Sequence, residues 1–407
     1  MVWLAATVFG GGALAQSVGD APKPIGFPAG PLVIAPSLTT GLEYNSNLFL
    51  NAQDASPSAD QVLTIEPALQ LTVPFSNSTF RFGDTLTWVD YKKTPQTSGR
   101  TSNDAAAELN LRFASFDVLD LATRRITGVA ETIAFDPGGE VKFDGKPYTL
   151  HTESVSLSRE VQGVRGYRLS LTRNALAFVP SATVNFFNYS GFDGEAAFVQ
   201  PLSSNARLSF GYLGSRYDHF ELNAPDPYAV FRTESGDTAY VQLDGQLGTK
   251  QPYSARVGWE QLNFTGNSAK DYSGIVGLAK MSVIVGGGTS ITVNGQQQPY
   301  RSFFGNNNFY VFDQIGVNVD RHFPRGSSIG GNASISRSTY GESVEQPDGA
   351  FVYRHDRTVY FEAYGNLAVS ERVIFRLSIS KNRKYTNFQG ADYNAFVVFG
   401  GFVLGWI

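Results

Sequence analysis

Charged side chains recur at alternate positions within otherwise apolar segments of this chain. The acidic members are Glu66, Glu108, Asp120, Asp244, Glu260, Asp320 and Glu362, and the basic members are Arg81, Arg112, Arg124, Arg207, Arg256 and Arg376. Tyr240, Tyr360 and Tyr364 follow the same alternation. Because successive side chains of a strand point to opposite faces, this spacing predicts strands with one polar face.

The polar face carries both signs of charge, and two interpretations of it stay open. On the wall of a water-filled channel such charges form networks that set the field and the width, and tyrosine rings offer a surface along which a sugar chain slides. Alternatively, the charges are salt bridges within a barrel wall, and the tyrosines pack at a membrane interface or against a plug. A strongly anion-selective exporter would need an excess of lysine and arginine, which this face lacks.

The other reactive residue types show no pattern of a catalytic or metal site. The histidines are His151, His219, His322 and His355, which are scattered without ligand spacing, and the chain has no cysteine. His151 lies close to Ser154, as in lipid-modifying enzymes with a His–Ser pair, but the local motif of those enzymes is missing. We therefore predict no enzyme activity, no metal and no cofactor.

The clearest element that positions these groups is the segment from Gln61 to Tyr91. Its first half alternates apolar residues, from Leu63 to Val73, with mostly polar ones, and a turn at Ser76–Ser78 leads to a return strand of the same kind. Asp84 falls on the apolar parity of the return strand, so we predict a β-bulge there. Each strand has about a dozen residues, near the length with which a tilted strand crosses a bilayer.

This hairpin pattern repeats to the end of the chain. We predict about eighteen strands, with about sixteen as the alternative. They begin near Leu32, Gln61, Ser78, Ser102, Phe116, Lys146, Val164, Phe186, Asn205, Val230, Tyr253, Lys270, Val283, Asn307, Ser327, His355, Arg372 and Ala391. Short turns alternate with long polar loops, as in outer-membrane barrels, which puts both termini on the short-turn side. The predicted fold is all-β, a transmembrane antiparallel up-and-down β-barrel.

Composition supports a membrane barrel over a soluble β-sandwich, solenoid or propeller. Only 17% of residues are charged and 13% are aromatic, with a mean hydropathy of −0.15. A lipid-facing strand averages its apolar face with its polar one, so bulk hydropathy stays low. No repeat of fixed period supports a solenoid or propeller. The net charge of −4 argues against a nucleic-acid partner.

The two ends of the chain carry signals of export and barrel assembly. Residues 1–15, MVWLAATVFGGGALA, combine an apolar run with a small-residue cleavage pattern and are predicted to be a signal peptide. Residues 16–31 are rich in proline and are predicted to be a flexible N-terminal segment, and residues 32–407 are predicted to form the barrel. Outer-membrane barrels characteristically end in an apolar strand with a terminal aromatic residue; here the last strand is apolar on both parities, but the aromatic is Trp406 and the last residue is Ile407.

Two short motifs near the start resemble a known family. Gly41–Phe49 reads GLEYNSNLF, and Ile65–Leu71 reads IEPALQL. Both resemble the opening strands of the β-barrel porin family often encoded beside exopolysaccharide synthesis genes. The resemblance implies a barrel in the outer membrane of a Gram-negative bacterium and a conduit for a secreted polysaccharide. Its implied partners are outer-membrane lipid, the polysaccharide and periplasmic export components.

The main functional expectation is therefore an outer-membrane channel that exports a polysaccharide. The alternatives are a general diffusion porin, a structural or adhesive barrel with a closed lumen, and a lipid-modifying barrel enzyme. Loops 135–147, 297–306 and 341–354 are long, polar and rich in Gly, Gln, Asn or Pro. They are the candidates for segments that fold inward and narrow the lumen.

Overall fold

The computed structural model describes residues 26–48, 50, 58–93, 100–113, 116–129, 147–161, 163–179, 188–219, 233–248, 251–266, 270–302, 307–346 and 348–405. Its strands are β1 (Phe27–Ala29), β2 (Leu32–Asn45), β3 (Asp60–Phe75), β4 (Ser78–Tyr91), β5 (Arg100–Phe113), β6 (Asp117–Val129), β7 (Pro147–Arg159), β8 (Gly166–Phe178), β9 (Tyr189–Ser203) and β10 (Ala206–His219). They continue with β11 (Thr233–Leu247), β12 (Gln251–Thr265), β13 (Tyr272–Val285), β14 (Thr289–Arg301), β15 (Phe309–His322), β16 (Ser328–Glu345), β17 (Phe351–Ser370), β18 (Val373–Thr386) and β19 (Tyr393–Gly405). A 3-10 turn at Pro324–Gly326 joins β15 to β16, and no helix among these residues is long and apolar enough to cross a membrane.

Strands β2 to β19 form a closed barrel. Each strand is antiparallel to the next in sequence order, and β19 pairs with β2 from Val397 opposite Asn45 to Gly405 opposite Ser37. The predicted all-β barrel of eighteen strands is confirmed. The short strand β1 pairs with the start of β2. Residues 27–29, near the end of the predicted flexible segment, therefore form a strand. Residues 1–25 lie outside the described chain.

Two strand boundaries differ from the prediction. β14 begins at Thr289 rather than near Val283, because the glycines at 286–288 form a turn and do not lie within a strand. Gly287 and Gly288 have φ angles of 76° and 82°, a left-handed conformation that glycine adopts without steric cost. β17 begins at Phe351 rather than near His355, because its first residues pair with the end of β16.

The β-bulge predicted at Asp84 is wrong. The ladder between β3 and β4 keeps one register, with Asp84 opposite Leu69. Asp84 stays on the outward parity and accepts a hydrogen bond of 2.6 Å from Asn103 on the neighbouring strand. A cross-strand amide therefore satisfies the carboxylate without an extra residue in the strand.

The two ends of the barrel have connections of different length. At one end two residues join β3 to β4, β9 to β10 and β17 to β18, and both Leu32 and Gly405 lie there. At the other end the connections are longer, as between β2 and β3. In outer-membrane barrels the short turns are periplasmic and the longer loops extracellular. We name the two ends accordingly.

Large apolar side chains cover the outer wall. Phe210 on β10 and Trp259 on β12 are 49% and 52% exposed, whereas Ser209 and Tyr217 on the other parity of β10 are fully buried. Contiguous apolar surface of this extent is a liability in water. A closed barrel satisfies every backbone hydrogen bond internally, as a bilayer requires. The strands therefore span a membrane.

Candidate functional site

The second parity of each strand faces the interior of the barrel. Contacts between strands that are not neighbours identify this face, since only the concave side permits them. Asn174 on β8 donates a hydrogen bond of 3.2 Å to the Tyr217 hydroxyl on β10, and Asn318 on β15 donates one of 3.4 Å to the Tyr364 hydroxyl on β17. Residues directly opposite each other on paired strands point to the same face of the sheet. The pairing of each strand with the next therefore identifies the inward-facing residues of every strand.

All of the predicted polar-face residues lie on the inward parity by this register. They are Glu66, Arg81, Glu108, Arg112, Asp120, Arg124, Arg207, Tyr240, Asp244, Arg256, Glu260, Asp320, Tyr360, Glu362, Tyr364 and Arg376. That they line a path for a solute remains a prediction. The structure brings most of them together in three groups.

The first group lies on the water-accessible wall formed by β4 to β6. Arg81 Nη1 is 3.8 Å from Glu108 Oε2, and both side chains are about half exposed. Arg124 binds Asp104 through two hydrogen bonds of 2.8 and 2.5 Å. These exposed pairs contribute little to stability.

The second group is a buried network centred on Glu195 of β9. Its carboxylate accepts a hydrogen bond from the Tyr240 hydroxyl and lies 3.4 Å from Arg168 Nη1 and 3.5 Å from Arg256 Nη2. The Arg256 guanidinium also lies 4.1 Å from the centre of the Tyr240 ring. Glu195 is only 3% exposed, and two arginines compensate the charge of this buried carboxylate.

Arg207 and Asp244 extend this network toward the periplasmic end. Arg207 Nη1 is 2.5 Å from Glu160 Oε2 and its Nε is 3.5 Å from Asp244 Oδ2. Glu160 also lies 2.7 Å from Arg168. The two arginines share one carboxylate, which links the two halves of the network.

The third group lies on β15 to β18. The Tyr364 hydroxyl donates a hydrogen bond to Asp320, and Asn332 donates one of 2.8 Å to Glu362. Arg376 donates one of 3.1 Å to Asn366. Tyr360 lies one inward position from Glu362 on the same strand.

The four remaining predicted residues form no ion pair within the described part of the chain. Asp120 accepts a hydrogen bond of 2.5 Å from Asn110, and Glu66 accepts one of 3.4 Å from Thr87. Arg112 and Glu260 are inward by register. Glu66 lies close enough to Arg376 of the third group to interact with its charge, and Glu260 interacts in the same way with Glu234.

The extracellular end of β14 separates from its neighbour β13, while β15 stays paired with β16 as far as Tyr310 opposite Tyr340. Pairing between β13 and β14 stops at Gly277 opposite Gln297, whereas β14 stays paired with β15 as far as Arg301 opposite Phe309. We call residues 297–302 and 307–312 the inner hairpin. The unpaired edge of β13 shows that this hairpin no longer continues the sheet beside it.

Contacts above the inner hairpin show the direction in which it bends. Lys270, just before β13, lies 3.4 Å from Glu342 of β16. Three strand spacings, about 14 Å, would separate β13 from β16 if β14 and β15 lay between them. Asn308 and Asn307 donate hydrogen bonds of 3.3 and 3.2 Å to the carbonyl oxygens of Lys270 and Glu342. The wall therefore closes over the hairpin, whose end lies inside the barrel.

One face of the inner hairpin packs on β9 to β13. Arg301 donates a hydrogen bond to Glu234 of β11, and the two side chains are 9% and 7% exposed. The Arg301 guanidinium also lies 5.0 and 4.8 Å from the ring centres of Tyr189 and Tyr217. An apolar cluster of Leu176, Phe178, Leu262, Phe264 and Tyr272 surrounds this contact, with Phe309 packed against it.

The opposite face of the inner hairpin packs on β16 to β18. Tyr310 is fully buried between Tyr300 and Tyr340, at centroid distances of 5.8 and 5.5 Å. Arg354 lies 5.1 Å from the Tyr340 ring, and the buried Asp356 binds both Arg354, at 2.6 Å, and Lys384, at 2.8 Å. The hairpin thus lies between β9–β13 on one side and β16–β18 on the other, and it narrows the lumen near its extracellular end.

Of the predicted constricting segments, 297–306 contributes the inner hairpin through residues 297–302. Segment 341–354 is instead mostly strand, because β16 runs to Glu345 and β17 starts at Phe351. Residues 135–146 of the third candidate lie outside the described chain.

His151 and Ser154 fall on opposite parities of β7, so no His–Ser pair forms. No group of metal-binding side chains occurs among the described residues.

Several interior residues were not predicted from the sequence. They are Glu160, Arg168, Asp193, Glu195, Glu234, Arg301, Arg354, Asp356 and Lys384. Asp193 and Glu195 alternate with Phe192 and Phe198 on β9, so strand parity alone could have found them. Arg301 has the parity of the outer wall, and no local pattern indicates its inward position.

Comparison with known proteins supports the fold. No protein-family model matches the sequence, and no curated protein matches it, so the association with exopolysaccharide export gains no support. The outer-membrane protein OpdK of Pseudomonas aeruginosa superimposes with a TM-score of 0.52 at 11% identity, over 92% of this chain and 99% of that chain. Another structure of it, named OccK1, gives 0.53 at 11% identity over the same shares. P. aeruginosa OpdO gives 0.50 at 10% identity, over 92% and 98%.

At these identities the likeness concerns the fold. The closed antiparallel barrel, the apolar outer wall and the polar interior agree with it. The chain is therefore an antiparallel β-barrel located in the outer membrane of a Gram-negative bacterium.

Proposed function

We propose that this protein is a diffusion channel for small polar solutes, with its width set by the inner hairpin. The observation that carries the proposal is the contact of Arg301 in the inner hairpin with Glu234 of β11, made while β15 stays paired with β16 at Tyr310 and Tyr340. A barrel of this strand number encloses an aqueous lumen unless chain segments fill it. The hairpin reduces that lumen at one level without adding a separate plug domain among the described residues.

The charges of the inner wall favour weak charge selectivity. The first group is exposed and contains paired acids and bases, such as Arg81 with Glu108. At the constriction, Glu234 offsets Arg301, and Asp356 offsets part of the charge of Arg354 and Lys384. Because both signs alternate along the path, size rather than charge limits passage.

A small solute fits this constriction better than a polymer does. A polysaccharide conduit, expected from the family resemblance, needs a lumen that admits a hydrated chain along its whole length. The inner hairpin removes part of that cross-section. OpdK, which shares the fold, has been crystallised with vanillate, a small aromatic acid, and this supports a small solute for a barrel of this kind.

Two measurements on the purified barrel test the proposal. We expect single-channel conductance in planar bilayers and swelling of proteoliposomes with small sugars, with rates that fall steeply as sugar size increases. Passage of long sugar polymers would favour the polysaccharide conduit. Absence of conductance, both in the natural protein and in a variant with a released hairpin, would favour a structural or adhesive barrel.

A further inference from the structure

Exposed cations cluster on the outer wall of β16, β17 and β18. Arg337, Arg357, Lys381 and Arg383 lie on the outward parity by register and are exposed. Arg337 is directly opposite Arg357, and Arg383 is a diagonal neighbour of Arg357. Such positions place the Cβ atoms within about 5–8 Å of each other. Like charges directly opposed across a sheet are destabilising, so this arrangement favours a bound anion.

Two outward arginines elsewhere on the barrel have carboxylate partners, whereas Arg125, Arg216 and Arg321 have no ion pair among the described residues. Arg159 lies 2.6 Å from Asp117, and Arg173 lies 3.5 Å from Glu153. Within the described part of the chain, the four clustered cations form no ion pair, and only Asp313, opposite Arg337, borders them in the register. The cluster therefore has an excess of positive charge that the protein does not neutralise.

The depth of the cluster in the membrane matches that of lipid headgroups. On the periplasmic side of it, the same strands expose Phe361, Leu377 and Ile379. On the extracellular side they expose two tyrosines, at 353 and 385, and the Arg383 guanidinium lies 4.5 Å from the ring of the latter. Tyrosine marks the headgroup level of a membrane. The cations thus lie between the apolar band and the aqueous phase.

We propose that this cluster is a binding site for the phosphorylated headgroup of an outer-leaflet lipid. Arginine guanidinium groups bind phosphate through paired hydrogen bonds, and Lys381 adds a compact point charge. The apolar residues Phe361 and Ile379 lie where the acyl chains of the same lipid would contact the wall. A groove whose outward-parity lining is Asp313, Ile315, Ile335, Arg337, His355 and Arg357 lies beside the cluster, with two arginines against one carboxylate.

The test compares lipid binding by the natural barrel with that of the variant R337Q/R357Q/R383Q, by native mass spectrometry and thermal unfolding in detergent. The lipid probe is diphosphoryl lipid A, with its dephosphorylated form and inorganic phosphate as separate arms. The control variant R173Q removes an outward arginine that has a carboxylate partner. Heat-modifiable migration on a denaturing gel verifies that each variant folds.

We expect the triple variant to bind diphosphoryl lipid A at least about tenfold more weakly, a loss of about 1.4 kcal/mol, while R173Q binds it normally. Without lipid, the triple variant should unfold at the same or a higher temperature, because the opposed charges are gone. Equal binding by the natural and triple-variant proteins would overturn the proposal. So would equal binding of the dephosphorylated lipid, or stabilisation by inorganic phosphate that matches that by the lipid.

Discussion

Replacing Glu234 by glutamine should release the inner hairpin from the wall of the barrel. Glu234 and Arg301 are 7% and 9% exposed, so the substitution deprives a buried guanidinium of the carboxylate that accepts its hydrogen bond. Removing one partner of a buried ion pair costs about 3–5 kcal/mol. The contacts of Arg301 with the rings of Tyr189 and Tyr217 remain and recover about 0.5–2 kcal/mol at most.

The remaining loss, on the order of 1–4 kcal/mol, shifts the ratio of docked to released hairpin by at least about fivefold. Single-channel recording in planar bilayers measures this shift directly. The natural barrel should hold one conductance level, and E234Q should switch to a higher level or occupy it permanently. The matched control is E153Q, which removes an exposed outward pair with Arg173 and is expected to change stability by about 0–1 kcal/mol.

A double variant that removes both charges separates the effect of a buried charge without its partner carboxylate from general destabilisation of the barrel. Replacing both Arg301 and Glu234 by leucine removes the buried charges together, which is often neutral or stabilising, and should restore a low, steady conductance. Unchanged conductance in a folded E234Q barrel would refute the reasoning, because it would show that the buried pair does not hold the hairpin across the lumen.

Three further outcomes follow from the same structure. L69R places a charge on the lipid-facing wall and should destabilise the barrel by about 2–4 kcal/mol, whereas Q70R on the inward parity should be tolerated. Urea titrations measure the free energy of unfolding of both variants. Equal losses of that free energy would mean that neither parity faces water. E195Q removes the buried carboxylate that Arg168 and Arg256 share and should lower the free energy of unfolding by about 3–5 kcal/mol. The control E108Q, whose ion pair is half exposed, should lower it by about 0–1 kcal/mol. The mature protein should begin near Gln16 by N-terminal sequencing of the outer-membrane fraction, and an uncleaved N-terminus would contradict the predicted signal peptide.

The sequence alone determined the strand pattern and the inward parity. Alternation has a period of two residues, so the side of each residue follows from its neighbours, as for Leu63 and Glu66 on β3. Turn residues likewise predicted the order of short and long connections, because a turn also depends on residues that are neighbours in the chain. A barrel then follows because many two-faced strands must close to satisfy the backbone in a bilayer.

Only the tertiary structure decided where that parity fails. Arg301 and Phe309 have the outward parity, yet they contact Glu234 and Tyr272 inside the barrel. The bend of the inner hairpin depends on partners tens of residues away, such as Glu342, which lies beside Lys270 over the bend. A local pattern carries no information on such contacts, because the energy that favours them exists only after the barrel has closed.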